Sequence, residues 1–198
     1  MNPSLFDLHS LILIIRIERI GDNMNEVLKA IQKRRSIRKF KPDMVPCQLV
    51  DEIITAGLYA ASGMGRQNTK IIAITDKGIR DKLSDMNRAI GGWKEGFDPF
   101  YGAPVVLLVI ADKSEGKELY DGSLVMGNLM LAAHALGIGS CWIHRAKEEV
   151  ESEFGQELLQ KLGIEGSWEG IGHCVLGYPD GEIPKAAPRK DNRVYYVE

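Results

Sequence analysis

The residues Arg34-Arg35-Ser36-Ile37-Arg38-Lys39-Phe40 carry the clearest chemistry in the chain. In an extended segment, side chains two apart share a face. Arg34, Ser36 and Arg38 would then point one way, and Arg35, Ile37 and Lys39 the other. Two guanidinium forks and a hydroxyl on one face suit a phosphate or another flat anionic group, because each fork offers paired N–H donors in fixed geometry. A second basic group, Arg189-Lys190 with Arg193, stands in the tail. Solvated surface is the plainer reading of both runs, and a nucleic-acid patch is a third. Against nucleic acid stand the lack of interleaved aromatics and a net charge of −2, from 25 Lys and Arg against 27 Asp and Glu.

Other chemistry is thinner. The three cysteines, Cys47, Cys141 and Cys174, are odd in number, with no C-x-x-C pair and no zinc spacing. This argues against a disulfide framework and a structural metal, and fits a reducing, cytoplasmic setting. Cys141 and Cys174 read as small core residues. No G-x-G-x-x-G follows a strand and no Walker A pattern occurs, so a dinucleotide or P-loop phosphate site lacks its loop. His134 and His173 read as structural histidines. Trp93, Phe97, Phe100 and Tyr101, set among glycines, read as core anchors or as a lid.

The elements that must position these residues follow from spacing. Asn25 reads as the N-cap of a short helix through Ile31, with Val27, Leu28 and Ile31 apolar. Pro46 suits the first turn of a helix running to Ala61. Residues 62–68 read as a loop, 70–75 as a strand and 77–89 as a polar helix. Pro104–Ile110 is nearly all apolar, so both of its faces should be covered. A helix buried round most of its circumference is expected over 121–136, closed by Gly137. A strand follows at 140–143, one amphipathic helix over 147–162, a strand over 170–177, and a strand-like end at 194–197. Helices on one central sheet, an α+β arrangement, are the economical architecture.

The chain has 198 residues, 44% of them hydrophobic and 26% charged, which favours one folded domain. Residues 1–23 read apart from the rest. Their apolar run Leu11–Ile15 is too short to span a membrane, and it lacks the flanks of a signal peptide. Two readings stand for this segment: extra sequence from an upstream start, or an arm that docks on a partner subunit.

Four stretches in order resemble the FMN-dependent nitroreductase family. They are the short helix before R-R-S-I-R-K-F, the helix ending Tyr59-Ala60-Ala61-Ser62-Gly63-Met64-Gly65-Arg66-Gln67, the run Ala132–Ile143, and Gly177-Tyr178-Pro179 with Pro188-Arg189-Lys190. The resemblance covers residues 24–198. It implies the family's α+β flavin fold, a central mixed, largely antiparallel sheet flanked by helices, in a domain-intertwined homodimer with FMN between the subunits. It implies that Arg34, Ser36 and Arg189 or Lys190 hold the FMN phosphate, with Arg35 near the phosphate or ribityl chain. Arg38 would lie beside the N1–C2 edge of the ring. Backbone at Trp142, Ile143, His144 and Arg145 would pass close to the ring, and Gln67 and Asn68 would complete the cofactor set. Where many members carry Ser-x-x-Asn-x-Gln-Pro-Trp, this chain has Gly65 in place of the Asn and Asn68-Thr69 in place of Pro-Trp.

The implied activity is an NAD(P)H oxidoreductase, with NADH or NADPH as co-substrate. It would reduce nitroaromatics, quinones or similar flat acceptors by a ping-pong cycle. No side chain is singled out as an acid or base, since the flavin carries the chemistry and the protein supplies position and charge. The expected partners are a second copy and a small aromatic acceptor, with neither nucleic acid nor membrane. A flavin-binding or storage protein without efficient turnover is the alternative of another class, and dehalogenating or flavin-fragmenting relatives are the alternative within the fold.

Overall fold

Asn25 opens the first helix: its Oδ1 accepts from Val27 N at 2.9 Å. This helix, α1, is Glu26–Lys33. The computed structural model describes residues 25–197, so both readings of residues 1–23 lie outside the described residues. α1 belongs to a compact unit that ends at Lys33, and the chain from Arg34 onward forms a second.

In the second unit, β1 (Thr69–Ile74), β2 (Val105–Asp112), β3 (Gly139–Ile143) and β4 (Trp168–Gly177) form one sheet in the order β1-β2-β4-β3. Every neighbouring pair is antiparallel. The apolar run of β2 is explained by cover on both faces. Val106, Leu108 and Ile110 join Ile72, Ile74 and Val175 in one core. Val105, Leu107, Val109 and Ala111 join Cys174 and Leu176 in the other. The helices α2 (Cys47–Leu58) and α4 (Glu118–Ala135) close the second core with Val50, Ile53, Met126, Leu129 and Ala133. The first core is closed by α3 (Lys77–Gly91), α5 (Ala146–Glu151) and α6 (Glu153–Lys161), through Leu83, Val150 and Leu159.

Three expectations need correction. The helix expected over 147–162 is two helices. Ser152 is extended (φ −71°, ψ 162°), and its Oγ accepts from Gly155 N and donates to Glu149 O, which ends α5 and starts α6. α4 is buried along one stripe only, since Leu119, Tyr120 and Leu124 are exposed. Residues 194–197 form no strand and lie exposed.

Two glycines of β4 let the chain pack where the site is built. A Cβ on Gly170 would fall 2.1 Å from Ala146 O, and one on Gly172 would fall 2.3 Å from the Trp142 indole nitrogen. Their absence brings the first turn of α5 and the Trp142 ring flat against the sheet.

The aromatic loop after α3 divides. Phe100 is wholly buried and is a core anchor, whereas Trp93 is exposed and packs at a tilt against Phe97, 5.5 Å between ring centres. Asp98 fixes this loop by accepting from Arg80, Ser84, Phe100 N and Gly102 N. Burial pushes the Asp98 carboxyl up, but the Arg80, Ser84 and Gly102 donors outweigh it and hold the group below the usual carboxylate value.

Candidate functional site

Segment 34–41 is stitched onto the β3 edge of the sheet. Ser36 bridges Ser140 in parallel and Phe40 bridges Pro179 in antiparallel sense. Ile37 N donates to Ser140 O (2.9 Å), Lys41 N to Tyr178 O (2.9 Å) and Asp180 N to Lys39 O (3.0 Å). Ile37 and Phe40 are buried and act as anchors. The extended segment therefore exists because two apolar side chains pin it while its polar residues stay clear of the core.

Arg34, Ser36 and Arg38 all act on the buried thiol of Cys141. Burial pushes the Cys141 thiol up, and it is opposed by the charge of Arg38, by a hydrogen bond with Ser36 and by the charge of Arg34. Burial first, and then the neighbouring Cys141, push the Cys174 thiol up, against the charge of Arg34. Both buried sulfurs therefore stay protonated near neutrality and are poor nucleophiles, in keeping with core residues. Arg35 Nη1 donates to Arg34 O at 2.6 Å.

Arg34 Nη1 is buried and meets no acceptor among the described residues. Leaving a buried donor unsatisfied costs about 1–3 kcal/mol, more for a charged group. That donor, on the segment that also carries Ser36 and Arg38, fits a terminal phosphate of a bound group, which supplies several acceptor oxygens and the opposite charge.

The other expected ring-facing residues leave the same sheet edge. Trp142 is half-buried, Ile143 is buried and His144 is exposed. Arg145 takes a left-handed φ of 77° before α5 begins, and its guanidinium lies 5.6 Å from the Trp93 ring centre. The His144 carbonyl accepts from Asn87 Nδ2 at 2.7 Å. His173 is buried and close to Glu149, and His134 is half-buried on α4.

The loop before β1 is elsewhere. Ser62 Oγ accepts from Gln67 N, and Asp121 Oδ1 accepts from Gly63 N, both at 3.0 Å. Gln67 lines a cavity of about 150 Å³ with Ser62, Thr69 and Asp121. Asn68 Oδ1 is buried and meets no donor among the described residues, while Asn68 O accepts from Asp112 N. This loop enters β1, whereas Arg34–Arg38 and Trp142–Arg145 lie at β3, the opposite edge of the sheet. Three strand spacings separate those edges, about 14 Å. Arg189 and Lys190 are exposed in the tail, with Arg189 Nη2 donating only to nearby Ala187 O. One protomer therefore gathers the Arg34 and Trp142 groups and leaves the Gln67 and Arg189 groups apart from them.

Sequence reasoning missed Asn87, Glu149 and Asp98. A signal existed for the first: Arg80, Leu83, Ser84 and Asn87 are all buried on one stripe of α3, and polar residues on such a stripe mark an internal network. Among the described residues, no helix is long and apolar enough to cross a membrane and no cluster of His, Cys, Asp or Glu is arranged to hold a metal ion.

Comparison with known proteins bears on this arrangement. The chain is 30% identical over 132 residues to a protein of Methanothermobacter thermautotrophicus named for NADH dehydrogenase/NAD(P)H nitroreductase activity, a match covering 64% of this chain and 65% of that protein. It is 30% identical over 176 residues to an NADPH-flavin oxidoreductase of Vibrio harveyi, covering 84% of this chain and 70% of the relative. The crystal structure of a nitroreductase with bound FMN from Bacteroides fragilis superposes with a TM-score of 0.81 at 27% identity, over 88% of this chain and 100% of that one. The Nitroreductase family model matches residues 31–178, which takes in the stitched arginine segment, the whole sheet and the turn after β3. With that match over most of its length, the chain belongs to the nitroreductase family.

Proposed function

We propose that this protein is an FMN-dependent NAD(P)H oxidoreductase that reduces nitroaromatics, quinones or similar flat acceptors, working as a homodimer in the cytoplasm. The observation that carries the reading is the buried, unpartnered Nη1 of Arg34 beside Ser36 and Arg38. Support comes from the FMN bound in the Bacteroides fragilis structure and from the NADPH-flavin activity of the Vibrio harveyi relative.

When bound, FMN supplies the two-electron chemistry, accepting a hydride from NAD(P)H and passing electrons to the acceptor. The chain's own part is positional and electrostatic. Arg34 and Ser36 hold the phosphate, with Arg35 alongside. Arg38 places a positive charge against the pyrimidine edge of the ring and so favours its reduced, more negative form. The backbone of Trp142–Arg145 lines the ring, and Gly170 and Gly172 keep that backbone tight on β4. No side chain is asked to give or take a proton at the hydride step. Gln67 and Asn68, at the far edge of the sheet, and Arg189 and Lys190, in the exposed tail, reach the cofactor held by a second copy.

The test is direct. Purified protein is denatured and the released flavin is chromatographed, and the holoenzyme is mixed anaerobically with NADH and NADPH in a stopped-flow instrument. FMN at about one per chain and rapid bleaching by at least one nicotinamide support the reading. FAD, or no uptake of FMN, overturns it. FMN that neither nicotinamide reduces moves the protein to the flavin-storage alternative.

A further inference from the structure

Three buried polar side chains, none of them among the site residues expected from sequence, converge beneath the turn between β3 and α5. Asn87 of α3 and His173 of β4 are 0% exposed, and Glu149 of α5 is 1% exposed. Asn87 Nδ2 donates to the His144 carbonyl (2.7 Å) and to Glu149 Oε1 (2.6 Å). Glu149 Oε2 lies 2.9 Å from His173 Nε2, close but out of line for a hydrogen bond.

Both neighbours of the Asn87 amide nitrogen are acceptors, which fixes the amide's orientation. Its Oδ1 is then left buried without a donor. An orphaned acceptor of this kind costs about 1–3 kcal/mol, which an apolar side chain of similar size would avoid. Such a side chain could not hold the His144 carbonyl. The arrangement thus accepts an unsatisfied oxygen and keeps its grip on one backbone group.

That grip has a geometric consequence. No cis peptide occurs among the described residues, so the N–H of each peptide points opposite to its C=O. With His144 O drawn inward to Asn87, the N–H of Arg145 is aimed out of the core. Among the described residues, no protein acceptor meets it. Arg145 also sits at φ 77°, a conformation that a non-glycine residue keeps only when its surroundings impose it.

We propose that Asn87, braced by Glu149, is a positioning residue that fixes the His144–Arg145 peptide and presents the Arg145 N–H to the flavin ring. The proposal rests on the reading of Trp142–Arg145 as the ring-lining backbone. It assigns a role in the redox site to a side chain that never touches the cofactor.

The experiment measures the dissociation constants of oxidised and dithionite-reduced FMN for the wild type, Asn87→Ala, Asn87→Ser and Ser84→Ala. Ser84 lies one turn earlier on α3 and bonds Asp98 instead of the turn, so its variant reports a structural loss alone. In Asn87→Ala the ratio of the two constants should change at least tenfold, or about 30 mV for a two-electron couple. Asn87→Ser, which keeps a shorter donor, should fall between Asn87→Ala and the wild type. Ser84→Ala should lower the thermal midpoint and leave the ratio alone. An unchanged ratio in folded Asn87→Ala overturns the proposal, and so does a change of the same size in Ser84→Ala. If Asn87→Ala does not fold, Asn87→Ser carries the same criterion.

A second readout needs no variant. The Arg145 amide resonance of wild-type holoenzyme should move between the oxidised and reduced states, and a resonance that stays put overturns the assignment. Wild type that binds no FMN removes the underlying reading and this proposal together. Wild type that binds FMN with an unmoved Arg145 amide, or with an unchanged ratio in the Asn87 variants, removes this proposal alone.

Discussion

Arg34 and Arg38 are two residues of one type, four apart, to which the proposed function gives different parts. Arg34 is half-buried with an unpartnered Nη1, while Arg38 is exposed at the other end of the segment. For a charge about 4 Å away at an effective dielectric near 20, the Coulomb interaction is about 4 kcal/mol. Solvent screening at an exposed arginine reduces this to about 1–2 kcal/mol. Arg38→Ala should therefore lower the two-electron midpoint potential by about 20–40 mV. Arg34→Ala should weaken FMN binding and barely move the potential, because the phosphate is remote from the ring. Potentials measured in flavin-saturated samples check the pair, and a larger shift for Arg34→Ala would reverse the assignment. At this scale the arginines were legible because an extended segment repeats every two residues, which sorts side chains onto faces without tertiary information. Asn87 and Glu149 were not legible. Each lies on a helix whose period says that the position is buried, and nothing local says which distant polar group it meets.

Elements were more readable than their ends. The strand pattern of β2 predicted cover on both faces, and the two cores supply it. The break between α5 and α6 was hidden because both halves share one amphipathic stripe, and a serine inside such a stripe reads equally as helix interior. Its hydroxyl caps α6 and closes α5. Ser152→Ala should cost about 1 kcal/mol, read as a lower urea midpoint with an unchanged slope. The aromatic loop after α3 gives a pH-dependent case. Asp98 has a depressed folded-state value, so its stabilising contribution is present above the unfolded carboxylate value and is lost as pH falls through the folded one. Asp98→Asn should destabilise the protein by about 1–3 kcal/mol at pH 7, through donors of Arg80, Ser84 and Gly102 left less well met. The gap between variant and wild type should narrow below about pH 4, where the unfolded-state carboxyl begins to protonate, and should close as the native carboxyl follows at lower pH. Urea titrations at pH 7 and pH 3 check both halves, and a gap that widens in acid would place the stabilisation elsewhere.

For the whole molecule, one chain holds the proposed site residues at opposite edges of its sheet. Sequence order nominated the four groups but carried no information about which copy of the proposed dimer would supply each. The sheet separates two of the groups, with Arg34–Arg38 at the β3 edge and the Gln67–Asn68 loop at the β1 edge, which is the ground for proposing a shared site. The exposed run Ile183 and Val194–Val197 and the exposed α4 residues Leu119, Tyr120 and Leu124 are apolar surface of the kind that subunits cover. A shared site can be tested without a structure of the dimer. Arg34→Ala and a double variant Gln67→Ala/Asn68→Ala are each expected to bind FMN poorly when alone. In a mixed dimer, one site inherits both defects and the other inherits neither, because its Arg34 comes from the loop variant and its loop from the Arg34 variant. Unfolding and refolding an equimolar mixture forms heterodimers in half of the pairs, with one intact site in each. The mixture should therefore recover about a quarter of the wild-type FMN sites, while each variant refolded alone recovers almost none. Light scattering should give about twice the 22.0 kDa chain mass for all three samples. Dimers that form but show no recovery on mixing would mean that each subunit completes its own site, and a flavin-loaded monomer would remove the shared arrangement altogether.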